Sequence, residues 1–342
     1  MTESNETLDQ IVEASRTATI RRRFRRMMVG GLLFGILLGP YLFYRANSIQ
    51  ERVRIFKTDV NEVAREDDGI IDLMVWNIAH GRGVANSNWE EGSTLKANRV
   101  MQIAAFIRDI NPDVVVLNEV DFSAMWSGGF NQAAAIAEAA GFPYYARQVN
   151  LDFGFIFGRF QFGNVILSRF PIVNASVIDL PAFRDWEDWL VGCKRGLMSQ
   201  LDLGSNRIIN LAALHLDYRS EACRVDSVTS LIPRFKEVER PLIVAGDLNT
   251  TPSTAPYSSE TPSGENAFDL LIQSTGLQPA PLQVLNFDQL TFPAWAPKRA
   301  IDWVLYQPQF FQMESHQVLP SQLSDHLPVM VRIKIKSVTQ SK

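Results

Sequence analysis

Two short segments toward the C-terminus carry side chains suited to phosphorus chemistry. Ser324-Asp325-His326 sets a hydroxyl, a carboxylate and an imidazole in succession, and Gly246-Asp247-Leu248-Asn249 offers a carboxylate and an amide on a turn-like segment. Carboxylates of this kind hold hard divalent cations, and an imidazole beside a carboxylate carries a proton near neutral pH. Other apolar runs end in the same residue types. Asn77 follows the run 73–76, Glu119 follows 114–118, His215 and Asp217 follow 211–214, and Asp302 sits within 300–304. One acid at a strand end is ordinarily a cap or turn residue. Taken singly, Asp247 reads as the start of an Asx turn, Asp325 as a cap on the last strand, Glu119 as a rim carboxylate and His215 as a satisfied interior histidine. Six ends loaded almost entirely with Asn, Asp, Glu and His go beyond turn chemistry.

The elements that must position these residues are short apolar strands separated by loops. Runs rich in Val, Ile and Leu, bounded by Gly, Pro, Asn or Asp, read as strands at 71–76, 114–118, 164–168, 207–214, 242–245, 300–306 and 329–335. Helical spacing or alanine richness marks 95–109, 130–140, 225–235 and 267–274. Residues 195–203 and 207–215 read as a hairpin turning at Gly204-Ser205-Asn206. Strands outnumber helices, and hairpins mix with strand–helix–strand crossovers. This pattern predicts an α/β domain of two packed sheets flanked by helices, whose strand ends share one rim.

At this point the chain resembles the endonuclease/exonuclease/phosphatase superfamily. The resemblance rests on Trp76-Asn77-Ile78, Leu117-Asn118-Glu119-Val120, Gly163-Asn164-Val165 through Arg169, His215-Leu216-Asp217, Gly246-Asp247-Leu248-Asn249, Ile301-Asp302-Trp303 and Ser324-Asp325-His326, in that order. It spans about residues 70–335 and implies a four-layered α/β (α+β) sandwich of two mixed β-sheets. By the same resemblance, Glu119, Asn77 and Asp325 hold a divalent cation, Mg²⁺ or Mn²⁺. His326 is the essential histidine and Asp302 its orienting carboxylate. Asp247 positions or deprotonates the attacking water, Asn249 contacts the phosphate, and His215 is a second phosphate-side histidine. The resemblance leaves open whether Asp247 or His326 is the base. Arg195 is a candidate phosphate clamp or a strand-end surface arginine, and Asn164 a phosphate contact or a holder of loop geometry.

Composition bounds the rest. With 46% hydrophobic and 10% aromatic residues over 342 positions, the chain is rich enough in apolar side chains for one large core. Arg21, Arg22, Arg23, Arg25 and Arg26 precede the apolar run Met27–Tyr44, whose eighteen residues span about 27 Å as a helix. The expected organisation is a basic cytoplasmic tail at 1–26, a transmembrane anchor at 27–44 and a juxtamembrane linker at 45–69. A catalytic domain at 70–336 and a tail at 337–342 complete it. Arginine asymmetry keeps the N-terminus cytoplasmic and places the domain on the periplasmic or extracellular side. A cleaved signal or a buried helix are the other readings of the run. Cys193 and Cys223 are compatible with a disulfide or with two thiols.

The expected function is a membrane-anchored, metal-dependent phosphodiesterase acting by in-line water attack. Its substrate is nucleic acid or a phospholipid-type headgroup diester. Residues 70–342 hold 22 Lys+Arg against 27 Asp+Glu, net −5, which weakens the reading of a tight non-specific duplex nuclease. The stretch 183–190, with Phe183, Trp186 and Trp189, reads as a lid, a lipid-contacting loop or a plain packed surface loop. The alternative for the whole chain is a degenerate, anchored scaffold of the same fold, against which the retained acids, amides and histidines argue.

Overall fold

The computed structural model describes residues 3–48, 52–60, 68–155, 158–190, 192–282 and 287–336. The chain divides into two compact units, residues 1–50 and 51–342. The first is the helix α1 (Glu3–Ser48), which contains the run expected to be an anchor. Its apolar side chains Met27, Leu32, Phe34 and Leu37 are exposed. Among the described residues, no helix is long and apolar enough to cross a membrane. The side chains of 42–44, which close the expected span, lie outside the described residues, as does the tail 337–342.

Among the described residues the second unit holds thirteen strands: β1 (Val53–Lys57), β2 (Ile70–Asn77), β3 (Val114–Ala124), β4 (Tyr144–Phe155), β5 (Gly158–Ser168), β6 (Ile172–Asp179), β7 (Arg195–Asp202), β8 (Ile208–His215), β9 (Leu242–Asp247), β10 (Gln278–Ala280), β11 (Asp302–Tyr306), β12 (Phe311–Val318) and β13 (Val329–Ile335). Helices α2 (Ser93–Ile110), α3 (Gln132–Ala140), α4 (Asp185–Leu190), α5 (Glu221–Lys236) and α6 (Ala267–Thr275) lie between them. One sheet runs β1-β4-β5-β3-β2-β13-β12 and the other β10-β11-β9-β8-β7-β6. Both are mixed, since β2–β3 and β8–β9 pair in parallel and the other pairs are antiparallel. Val53–Lys57, inside the stretch read as a linker, pairs with β4 and is the edge of the first sheet.

Alternation explains the layers. Leu73, Val75, Val114, Val116 and Ile166 of the first sheet share a core with Leu197, Leu211, Ala213, Ile243 and Val304 of the second. The residues between them face outward. Met74, Trp76, Val115 and Leu117 pack with Val100, Ile103 and Ile107 of α2 and Ile136 of α3. On the other side, Ala212, Leu214, Val244 and Trp303 pack with Val228 of α5 and Phe268 of α6. The order is helix, sheet, sheet, helix. Trp76 and Trp303 are the largest fully buried side chains, and truncating either to Ala removes about 3–5 kcal/mol of packing.

Candidate active site

Strand register brings the polar strand ends together. Parallel pairing sets Asn77 of β2 opposite Asn118 of β3, and His215 of β8 opposite Asp247 of β9. Antiparallel pairing sets Asp302 of β11 opposite the same Asp247. Gly246 permits this meeting: its φ is +139°, and a Cβ there would lie 2.0 Å from the Leu214 carbonyl oxygen. A buried amide network then ties the two sheets. Asn118 Nδ2 donates to Asn164 Oδ1 (2.8 Å) and to the Leu214 carbonyl (3.1 Å), and its Oδ1 accepts from the Asp247 amide (2.9 Å).

At one corner His326 and Asp302 form a buried pair, Nδ1 to Oδ2 2.9 Å, with the imidazole Nε2 3.8 Å from Asp247 Oδ2. The backbone of this loop is held by its neighbours. Trp76 Nε1 donates to the His326 carbonyl (3.0 Å), and the Ser324 hydroxyl donates to the Asn77 carbonyl (2.6 Å). Burial opposes charge on the imidazole, but Asp302 and Asp247 outweigh it and push His326 up to about 10. His326 is therefore cationic at neutral pH. Burial, with Asp302 adding to it, raises the Asp247 carboxyl above the usual range against the pull of His326 and the hydrogen bond from Asn77 Nδ2 (2.9 Å). Asp247 is also the Asx turn that its position allowed, since Oδ1 accepts from the Asn249 amide (3.0 Å).

The other corner centres on Glu119, which lies within β3 where the register with β5 shifts between Leu117 and Val120, and whose φ is +54°, a left-handed backbone. Its oxygens lie 3.4 Å from His80 Nε2, 3.4 Å from Arg82 Nη1, 3.8 Å from His215 Nε2 and 4.0 Å from Lys194 Nζ. Burial would raise this carboxyl, but the basic side chains around it, His80 and Lys194 foremost, hold it well below the usual range. Arg82 also donates to Asp325 Oδ2 (2.5 Å), so one guanidinium spans the two carboxylates. His80 Nδ1 pairs with Asp121 Oδ1 (2.7 Å), whose other oxygen accepts from Trp126 Nε1 (2.8 Å). Lys194 Nζ lies 2.6 Å from His215 Nε2; burial lowers the Lys194 ammonium, and burial beside that ammonium lowers His215 well below its usual value.

His80, Arg82 and Lys194 were not among the expected site residues. The signal for the first two was the composition of His80-Gly81-Arg82-Gly83 directly after the Asn77 motif. Their approach depends on left-handed backbone at Ala79 and His80, which periodicity does not reveal. Lys194 and Arg195 are neighbours in sequence and take different partners. Arg195 Nε donates to Asp179 (3.1 Å) and its Nη1 to the Asn150 carbonyl (3.1 Å), neither a site group. Lys194 is the cation beside His215. Asn164 is fully buried and donates to Gln148 Oε1 (2.8 Å) and the Arg195 carbonyl (2.7 Å). Asn249 Nδ2 donates to the Leu216 carbonyl (3.2 Å), beside the His215 loop. Cys193 and Cys223 are thiols with no disulfide between them; their sulfurs approach the neighbouring carbonyls of Leu180 and Pro181.

Two groups of side chains could hold a cation. Ligand atoms of Asp247, Asp302 and His326 all lie within 4.8 Å of one another and could hold a metal ion, and Asp302 Oδ1 is buried with no hydrogen-bond partner. The His326–Asp302 proton bridge occupies part of that group. Glu119 and Asp325 form the second, expected pair. Arg82 shows that this pair draws a cation between its carboxylates, and the all-oxygen donors suit Mg²⁺ or Mn²⁺ rather than zinc.

The comparisons with known proteins agree with this fold. Residues 74–326 match the profile of the endonuclease/exonuclease/phosphatase family. No curated protein matches the sequence. Among solved structures, an endonuclease/exonuclease/phosphatase from Beutenbergia cavernae is 23% identical, with 78% of this chain and 72% of that one covered, at a TM-score of 0.56. The catalytic domain of human Nocturnin with bound sulfate is 19% identical over 83% and 97%, also at 0.56. A mannosyl-6-phosphatase from Bacteroides thetaiotaomicron is 17% identical over 78% and 100%, at 0.55.

Proposed function

Because the chain belongs to the endonuclease/exonuclease/phosphatase family, whose members hydrolyse phosphoester bonds, we propose that it is a divalent-metal-dependent phosphodiesterase working by in-line attack of water. Its substrate is nucleic acid or a phospholipid-type headgroup diester. The observation that carries the reading is the Asp247–His326–Asp302 cluster, a raised carboxyl beside a buried cationic imidazole.

Each residue then has a task. Asp247 takes the proton of the attacking water, because a carboxylate raised toward neutrality is the better base. His326, already protonated, cannot be that base and instead neutralises charge growing on the phosphoryl oxygens, with Asp302 keeping it charged and aimed. Lys194 and His215 supply a cation and a neutral imidazole on the opposite side of Asp247. Asn77 fixes Asp247, and Asn249 lines its turn. Mg²⁺ or Mn²⁺ held by Glu119 and Asp325 beside Asn77 would supply Lewis-acid polarisation of the phosphate. The degenerate-scaffold reading is weaker, since the acids, amides and histidines that the chemistry needs are all in place.

The helix α1 fits a tether for this domain, with the domain outside the cytoplasmic membrane. Five arginines ahead of Met27–Tyr44 and the exposed apolar side chains of that run support the reading. Extraction of the full chain from membranes by carbonate, without detergent, is the result against it.

The test of the activity uses the full chain in detergent on plasmid DNA, RNA, sphingomyelin, phosphatidylinositol derivatives and bis-p-nitrophenyl phosphate, with Mg²⁺ and with EDTA. Metal-dependent turnover on at least one is expected. No turnover on any of them, with His326→Ala indistinguishable from the parent, overturns the enzyme reading.

A further inference from the structure

His80 is buried, and both of its ring nitrogens face acids. Nδ1 lies 2.7 Å from Asp121 Oδ1, and Nε2 lies 3.4 Å from Glu119 Oε2. We propose that His80 is a nitrogen ligand of the divalent cation held at Glu119, and that Asp121 is the positioning residue that presents the Nε2 lone pair. The proposal rests on the metal-dependent phosphoesterase reading. It adds to the cation site a side chain outside the expected set of Glu119, Asn77 and Asp325.

The hydrogen bonds around Asp121 set the tautomer. An indole N–H is a donor only, so Trp126 Nε1 at 2.8 Å fixes Asp121 Oδ2 as an acceptor. Oδ1 of the same carboxylate accepts from His80 Nδ1, which therefore carries the ring proton. Nε2 is left with its lone pair toward Glu119. The separation agrees: a protonated Nε2 would close on the carboxylate to about 2.7–2.9 Å. A lone pair and a carboxylate oxygen repel each other, and a cation shared between them removes the conflict. An imidazole whose second nitrogen donates to a carboxylate is the usual form of a metal-bound histidine.

Backbone and packing aim the ring. Ala79, His80 and Gly81 have φ of +48°, +56° and +73° in succession, and left-handed backbone at two consecutive residues with side chains is strain of the kind kept at functional sites. Gly81 closes this turn tightly, since a Cβ there would lie 2.9 Å from Val100 Cγ2. Gln132 holds both partners: its Nε2 donates to the His80 carbonyl (3.0 Å) and its Oε1 accepts from the Asp121 amide (3.0 Å). Phe162 and Trp126 meet the imidazole edge-on, at 5.0 Å and 5.5 Å between ring centroids. Turn, amide and rings thus hold the imidazole in one orientation. A nitrogen beside the carboxylates also changes which cation is preferred. Mg²⁺ takes oxygen ligands, whereas a transition metal such as Mn²⁺ accepts imidazole more readily, so the site should favour Mn²⁺.

The test loads the full chain with Mn²⁺ and reads the bound ion by pulsed electron paramagnetic resonance, in which a coordinated imidazole gives a nitrogen modulation. The parent should show it, and labelling histidine with ¹⁵N should shift it. His80→Gln should abolish it, whereas His215→Gln, whose ring lies 3.8 Å from the other Glu119 oxygen, should keep it. The ratio of Mn²⁺ to Mg²⁺ affinity, measured by competition, should fall about tenfold in His80→Gln. Asp121→Asn tests the positioning role with the imidazole still present. Trp126 Nε1 claims the remaining side-chain oxygen, so the amide N–H faces Nδ1 and the ring proton moves to Nε2. The modulation should disappear there too. Modulation that survives in His80→Gln, or that is absent from a parent with Mn²⁺ bound, overturns the ligand; modulation kept in Asp121→Asn overturns the positioning role. Hydrolysis of bis-p-nitrophenyl phosphate separates the two readings. EDTA-sensitive hydrolysis by a parent without the modulation leaves the phosphoesterase and removes the ligand; modulation without hydrolysis does the reverse. A parent that binds no Mn²⁺ overturns the ligand as well.

Discussion

At one end of the site a cation is held by acids: His326 lies between Asp302 at 2.9 Å and Asp247 at 3.8 Å, almost fully buried. At the other end an acid is held by cationic and imidazole groups, Glu119 among His80, Arg82, Lys194 and His215, with 22% of its side chain open to solvent. The first arrangement is closed and has fixed its proton. The second is partly open to solvent and has its charge neutralised by neighbouring basic side chains. A reaction that moves one proton and gathers anionic oxygens needs both kinds of end. The closed end suits proton handling, and the open end suits exchange of a mobile cation and a substrate phosphate.

The largest effect should come from the closed end. His326→Ala removes the buried cation and leaves Asp302 and Asp247 facing each other. Metal-dependent turnover should fall about 10³-fold or more, with substrate KM changed far less, as measured in steady state on whichever diester the chain cleaves. A loss of only a few-fold would mean that the two ends do not divide the work as described.

Titration separates the ends next. His326 is raised to about 10 in the folded chain from about 6.5 when unfolded, so the stability it contributes is complete below about pH 6.5 and disappears as pH rises through 10. Lys194, lowered by burial, works in the opposite direction in the alkaline range and would blur a single melting curve. Asp302→Asn removes the leading cause of the His326 shift and leaves Lys194 alone. The difference in unfolding free energy between parent and variant should be a few kcal/mol at pH 6 and shrink steadily toward pH 10. A difference that is flat with pH would show that His326 is not the titrating group.

The frame beneath both ends can be broken on its own. Asn118 is fully buried and joins the two sheets through Asn164, Leu214 and Asp247. Asn118→Ala orphans those partners and should cost about 2–3 kcal/mol in denaturant unfolding. Both corners should lose activity together, unlike the selective losses above.

The closed end was also the legible one. Asp247, Asp302 and His326 stand at or beside the ends of apolar strands, so alternation and register alone carry them to one place. The helices were legible for the same reason: the expected 95–109 and 267–274 differ from α2 and α6 by two residues or fewer at either end. Strands β1, β4, β6, β10 and β12 fall outside the expected runs. β4 holds Arg147, Gln148, Asn150 and Asp152, polar side chains whose burial depends on partners in β5 and β7. β1 lies within a charged stretch and is recognisable only by its pairing with β4. The open end was half hidden likewise. Glu119 sits inside β3 where its register with β5 shifts, but His80 and Arg82 arrive on a left-handed turn, and Asp179 holds the Arg195 that lies beside Lys194.

The smallest expected effect is also the sharpest test of the open end. If Arg82 neutralises Glu119 and Asp325 in place of a metal ion, removing it should improve cation binding while Glu119→Gln weakens it. Arg82 reaches Asp325 at 2.5 Å and Glu119 at 3.4 Å, with its Nε anchored on the Ala85 carbonyl at 3.0 Å, so the guanidinium is held across the pair. Arg82→Ala leaves the two carboxylates without the guanidinium that bridges them. Their combined pull on a divalent cation should tighten Mn²⁺ binding about tenfold, read by electron paramagnetic resonance on the resting protein with no substrate present. Arg82→Lys should fall between, because an ammonium is a point charge and cannot fork across two carboxylates. Glu119→Gln should move the same signal the other way by a similar factor. Tightening in one variant and loosening in the other would establish that the open end exchanges its internal cation for a metal. Loosening in both would make Arg82 a support for the metal site, and the contrast between a closed end and an exchangeable one would fail.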